Sequence, residues 1–118
     1  MSVTIYLEKL LKIADRQINR QAVGYEKISV GSSTIMNLTP PAQSMVAIIT
    51  VEASGTASNP AKAVRFLETP SGTVSASNGM ILGDLDTYEI FGADGIANFQ
   101  AIGIESGKTH TLNVTYYK

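Results

Sequence analysis

The chain holds one histidine, His110, and no cysteine. A lone imidazole serves as a general base beside a nucleophile, as a metal ligand, or as a charge that changes with pH. A Ser-His-Asp arrangement would need a serine and an acid brought to it in space, and no Gly-x-Ser-x-Gly elbow accompanies it. Its position at the start of a strand, just after Ser106-Gly107, reads as a partly exposed surface site. Asp84, Asp86 and Glu89 form an acidic stretch. Hard cations need several oxygen ligands on a defined turn, and the EF-hand spacing is absent. Solvated loop carboxylates are the plainer reading; a weak ion shared by Asp84 and Asp86 is the other. Gly107-Lys108-Thr109 has the end of a phosphate loop. However, Ile102 stands where the first glycine belongs, and the segment joins two strands instead of opening a helix.

Arg65, next to Phe66, could read a sugar or a phosphate, or could simply pair with Glu52 or Glu68. Tyr116 and Tyr117 offer aromatic surface for a glycan or an adjacent subunit, or else Tyr116 is core and Tyr117 edge packing; a carbohydrate-binding reading would use Tyr88 and Tyr117. No catalytic constellation, metal set or cofactor motif emerges, so the expectation is a non-enzyme with no cofactor and no metal.

Those side chains must be positioned by a chain of 118 residues, the length of one domain. Apolar residues make up 44% and charged residues only 16%, below the usual ~25%. Disorder needs high net charge and low hydrophobicity, so a folded domain with much neutral surface is expected. The formal net charge of −1 does not steer the molecule toward nucleic acid. It is unevenly spread. Residues 1–22 carry Lys9, Lys12, Arg16 and Arg20 against Glu8 and Asp15, a net +2, and the remainder is net −3. Such a basic arm suits an acidic neighbour, or is an ordinary solvated helix face. No stretch reaches the ~20 apolar residues of a membrane span, and no signal peptide pattern opens the chain. A cytoplasmic product that contacts neither membrane nor nucleic acid is the expectation.

Two periodicities divide the sequence. Residues 3–22 read as an amphipathic helix: Val3, Leu7, Leu11, Ala14 and Ile18 recur at spacings of three and four, forming one stripe. Glu8 and Lys12 make a favourable i,i+4 pair, and Gly24 is a natural stop. The stripe needs a cover, either the chain's own β-domain or another subunit. From Tyr25 onward the pattern is strand-like. Strands are expected at Tyr25–Val30, Met45–Glu52 (central, buried on both faces), Ala63–Thr69, Met80–Leu82, Thr87–Phe91, Asn98–Glu105 and His110–Tyr117. Shorter pieces are expected at Ile35–Leu38 and Val74–Ala76. Turns are expected at Asn78-Gly79 and Ala93-Asp94-Gly95, and the last two strands are expected to close as a hairpin around Ser106-Gly107-Lys108. The fold class is therefore mainly β: an antiparallel β-sandwich or jelly-roll-like barrel preceded by one N-terminal amphipathic α-helix. Residues 1–23 form the arm and residues 24–118 the β-domain.

The β-region carries a recognisable succession: Val51-Glu52, Val64-Arg65-Phe66, Pro70, Ala76-Ser77-Asn78-Gly79, Leu82, Ile90-Phe91-Gly92, Ile96-Ala97-Asn98-Phe99-Gln100-Ala101-Ile102, and Leu112-Asn113-Val114-Thr115-Tyr116. Over residues 25–117 this resembles small β-domains of tailed-bacteriophage virion proteins of the head-decoration or capsid-stabilising type. The resemblance implies a structural virion component, made in the host cytoplasm. It would bind the major capsid protein or other virion subunits and act as a homo-oligomer, a trimer ahead of other states. It carries no catalytic residue onto this chain and does not extend to the helix.

The residues expected to dock the arm are Leu7, Leu11, Ala14 and Ile18, with Lys12, Arg16 and Arg20 meeting acidic partners. A carbohydrate- or cell-surface-binding module of a phage tail is the alternative. A small enzyme built on His110 or on Asp84, Asp86 and Glu89 is a third reading.

Overall fold

The computed structural model describes residues 7–10 and 21–118. Among the described residues, seven strands form two antiparallel sheets: β1 (Ala22–Val30), β2 (Val46–Glu52), β3 (Val64–Leu67), β4 (Met80–Leu82), β5 (Thr87–Phe91), β6 (Gln100–Gly103) and β7 (His110–Tyr117). The larger sheet has the order β1-β7-β2-β5 and the smaller β4-β3-β6. The mainly β, two-sheet architecture expected from the sequence is the one observed.

Alternation explains how the larger sheet buries one face. In β7, Leu112, Val114 and Tyr116 are buried while Thr111, Asn113, Thr115 and Tyr117 are half-exposed. In register with them lie Ile28 opposite Leu112 on β1, and Val51, Ile49 and Ala47 opposite Leu112, Val114 and Tyr116 on β2. Two-residue periodicity puts all of these on one side. From the smaller sheet Val64, Phe66, Leu82 and Ala101 join them in the core. The Phe66 ring lies 4.5 Å from the Tyr88 ring and 5.7 Å from the Phe99 ring, joining the sheets through aromatic contact.

The sequence-based expectations need correction at several points. Residues 7–10 are helical, and Ala22, expected to be the last residue of the helix, is instead the first residue of β1. Gly24 is no helix stop. It follows a register shift between β1 and β7, and a Cβ there would lie 2.9 Å from Pro41 Cγ. Its small size admits the returning 39–41 segment. β2 is central but not buried on both faces: Ala47, Ile49 and Val51 are buried, and Val46, Ile48 and Thr50 only partly. The 35–38 piece contributes one bridge, Met36 to Ala101, and the 74–76 piece only the Ser75–Asn78 bridge that closes a turn. The segment expected to turn at 93–95 is a short helix, Ala93–Ala97. Its Ile96 is buried, which rewards a coil that a Gly-containing tripeptide does not announce.

The largest correction concerns β6 and β7, which do not form a hairpin. β6 pairs with β3, whereas β7 pairs with β1 and β2. Residues 104–109 carry the chain from one sheet to the other. Four-residue β6 cannot match eight-residue β7, whose apolar row finds full-length partners in β1 and β2. The β2–β3 and β4–β5 connections also cross between sheets.

Candidate functional site

The sequence places the interaction site on the arm. Of its residues only Leu7 is described, and Leu11, Lys12, Ala14, Arg16, Ile18 and Arg20 lie outside the described residues. Leu7 and Leu10 are helical and 52% and 46% exposed. A leucine left half in water forgoes much of the ~1.5–3 kcal/mol that full burial supplies. The chain's own β-domain therefore does not bury these two side chains.

A second apolar surface lies on the outer face of the larger sheet. Tyr25 on β1, Ile48 on β2 and Thr115 on β7 stand in one register row. Val46, Tyr117 and Phe91 share the next. Tyr25 is 62% exposed and Phe91 66%, and Met45, the residue before β2, is also exposed. The Tyr25 hydroxyl donates to Asn113 Oδ1 at 2.8 Å, which fixes its ring along the sheet. The sequence reasoning passed over Tyr25, Met45 and Phe91. Strand alternation held the signal: Tyr25 shares a side with Lys27 and Ser29, opposite Ile28 and Val30.

Leu85 is another exposed apolar residue that the sequence did not single out. Its backbone is left-handed, with φ +67°, an uncommon state for a branched side chain. Hydrogen bonds hold it there: the Leu85 N–H donates to Val51 O at 2.8 Å, and the Val51 N–H to Asp86 O at 3.1 Å.

The residues weighed for chemistry are occupied in structural roles. Asp84 Oδ1 accepts the Ala53 N–H at 2.9 Å and Asp86 Oδ2 accepts the Gly83 N–H at 2.7 Å. These carboxylates brace the β4–β5 turn and are not merely solvated. Among the described residues no group of three or more His, Cys, Asp or Glu could hold a metal. Arg65 does not pair with Glu52 or Glu68. Its Nε donates to Ala76 O at 2.9 Å and its Nη1 to Gly79 O at 2.7 Å, so it holds the 75–79 turn. Glu52 accepts instead from Asn113 Nδ2. Glu68 accepts from the Tyr88 hydroxyl, which burial together with this carboxylate pushes up to about 12. Tyr88 is thus half-buried and turned inward, poorly suited to stack on a glycan.

His110 departs furthest from expectation. It is 1% exposed, not a surface residue. The Ser54 N–H donates to its Nδ1 at 3.0 Å, and Nε2 has no partner. Burial lowers its proton affinity, against a smaller opposing effect from Glu105. Glu26, pointing inward from edge strand β1, accepts the Tyr116 hydroxyl, the Thr39 hydroxyl and, at 2.9 Å, the Thr39 N–H. Burial raises the Glu26 carboxyl, but these hydrogen bonds outweigh it and its proton affinity falls below the ordinary value. Burial and the Glu26 carboxylate push the Tyr116 hydroxyl strongly upward.

Compared with protein families, curated proteins and solved structures, the chain matches none.

Proposed function

We propose that the chain is a structural virion protein of a tailed bacteriophage. It is an accessory or decoration protein that binds the capsid or neighbouring virion subunits through its N-terminal arm. The observation that carries this reading is the exposure of Leu7 and Leu10 on a helical segment, next to a β-domain that leaves them uncovered. A chain that places leucines in water at helical spacing gains free energy when another surface takes them up. The acidic β-domain and basic arm supply charge complementarity between copies or toward a shell. The resemblance of residues 25–117 to virion accessory domains supports the particle as the partner. The engaged carboxylates and the turn-bound Arg65 support a protein that works by contact and not by catalysis. Repetition on a symmetric shell, as a homo-oligomer, multiplies a small contact by avidity.

The test is occupancy on purified particles. Leu7→Asp and Leu11→Asp, each separately, are expected to strip the protein from the particle while leaving the far-ultraviolet spectrum of the β-domain unchanged. Full occupancy by both folded variants would refute the reading.

A second reading, a carbohydrate- or cell-surface-binding module, is favoured by one observation: the exposed rings of Tyr25 and Phe91 on the same sheet face. Binding of the isolated protein to a glycan array, abolished by Tyr25→Ala and unaffected by Leu7→Asp, would select it over the first.

A further inference from the structure

Two of the connections between the sheets meet at one end of the molecule, and three side chains tie them. Segment 53–58 begins the connection from β2 to β3, and residues 104–109 carry the chain from β6 back to β7. The Ser54 N–H donates to His110 Nδ1 at 3.0 Å, the Ser58 N–H to Glu105 Oε2 at 2.9 Å, and Lys108 Nζ to Thr56 Oγ1 at 3.1 Å. Two of these ties end in groups that titrate in acid. The His110 tie is the buried one, and it constrains protonation by geometry. An amide N–H aimed at Nδ1 requires that nitrogen to be bare, so the neutral ring carries its proton on Nε2. Adding a second proton would set Nδ1–H against the Ser54 N–H, donor against donor. It would also leave a cation on a ring 1% exposed, whose Nε2 has no acceptor.

We propose that His110 is an acid-release latch: neutral, it clamps segment 53–58 against the start of β7, and on protonation it lets that segment go while the sheets stay folded.

The charged neighbours do not prevent release. From β1 the paired residue is Val30, which carries no charge. At the end of β2, Glu52 is engaged by Asn113, and across the β4–β5 turn Asp84 is engaged by the Ala53 N–H. Glu105 is the carboxylate that favours the His110 cation, but its effect is smaller than that of burial. Hydrogen bonds from Ser58 hold Glu105 below the usual carboxylate range, so it remains ionised through the window in which His110 changes state. The sign follows from linkage. His110 has a lower proton affinity in the latched state than in the open one, so the open state binds the extra proton. Opening therefore grows as pH falls below about 6.5, by about tenfold per pH unit for one linked proton, until the latched ring itself titrates.

The experiment is amide hydrogen exchange at Ser54, corrected for intrinsic rates, with the His110 ring followed by NMR in the full chain from pH 7.5 to 4.5. Protection at Ser54 is expected to fall about tenfold per pH unit below about 6.5, while Val114 and Ile49 stay protected. In His110→Asn, the Asn Oδ1 takes the place of Nδ1 as an acceptor that does not titrate, so the Ser54 profile is expected to be flat. Flat Ser54 protection in the wild type, an ordinary ring titration with no change at Ser54, or the same acid response in His110→Asn would each overturn the latch. If His110→Asn does not fold, the wild-type ring titration and Ser54 profile decide by themselves.

Discussion

Glu26 shows how one side chain joins three parts of the molecule. It sits on an edge strand with its carboxylate turned inward, where an unpaired charge would be costly. Thr39 and Tyr116 supply three donors, so the charge is satisfied and the 39–41 segment is fastened over the end of β1. An inward charge on an edge strand also discourages pairing with a foreign strand. Tyr116→Phe removes one donor from a buried cluster and is expected to cost about 1–3 kcal/mol, measured by urea unfolding at pH 7. The pH dependence follows from the lowered Glu26 proton affinity. Its contribution is present above the ordinary carboxyl value of 4.5 and is lost as pH falls through the lower folded-state value. Tyr116→Phe should therefore flatten the acid limb of the stability curve, and a wild-type slope in the variant would remove Glu26 from that role.

The β4–β5 turn is the element under tightest geometric constraint. It passes the chain between sheets in four residues, 83–86. Asp86 ties back to Gly83, and the Asp84 N–H donates to Pro60 O at 2.8 Å. A Cβ at Gly83 would stand 2.3 Å from Ala61 O, and a backbone oxygen cannot step aside without moving Pro60–Lys62. Gly83→Ala is therefore expected to destabilise by about 1–3 kcal/mol, the usual cost of overpacking. Thermal unfolding would read this as a drop of about 4–8 °C per kcal/mol for a domain of roughly this size. A variant as stable as the wild type would show that the turn relaxes freely. The same bracing displays Leu85, an apolar side chain held in solvent by a backbone state that few leucines adopt.

At the scale of the whole molecule, a closed core coexists with exposed apolar side chains, among them Leu7 and Leu10 on the helical segment and Tyr25 and Phe91 on the outer face of the larger sheet. If the arm joins copies in solution, Leu7→Asp combined with Leu10→Asp should lower the mass of the purified protein to that of one chain. Sedimentation at several concentrations gives the answer. A wild-type protein already monomeric at high concentration would confine the partner to a different polypeptide of the particle.

The sequence by itself determined the mainly β class and most strand positions. Alternation of apolar and polar residues is a local signal, and β7 shows it without a break. It also allowed for Tyr116 in the core, where the structure buries it. It could not determine which sheet each strand joins. Pairing partners are chosen by length and register across distant segments, so the apparent 98–117 hairpin became a crossing between sheets. Nor could it assign the lone His110, Arg65, Asp84 and Asp86. Each is a polar group whose role depends on which backbone donor or acceptor folding brings within ~3 Å; for His110, Arg65 and Asp84 that partner lies 11 or more residues away in sequence, and for Asp86 it depends on the turn conformation. Only the tertiary structure turned a supposed surface histidine into a buried acceptor of the Ser54 amide.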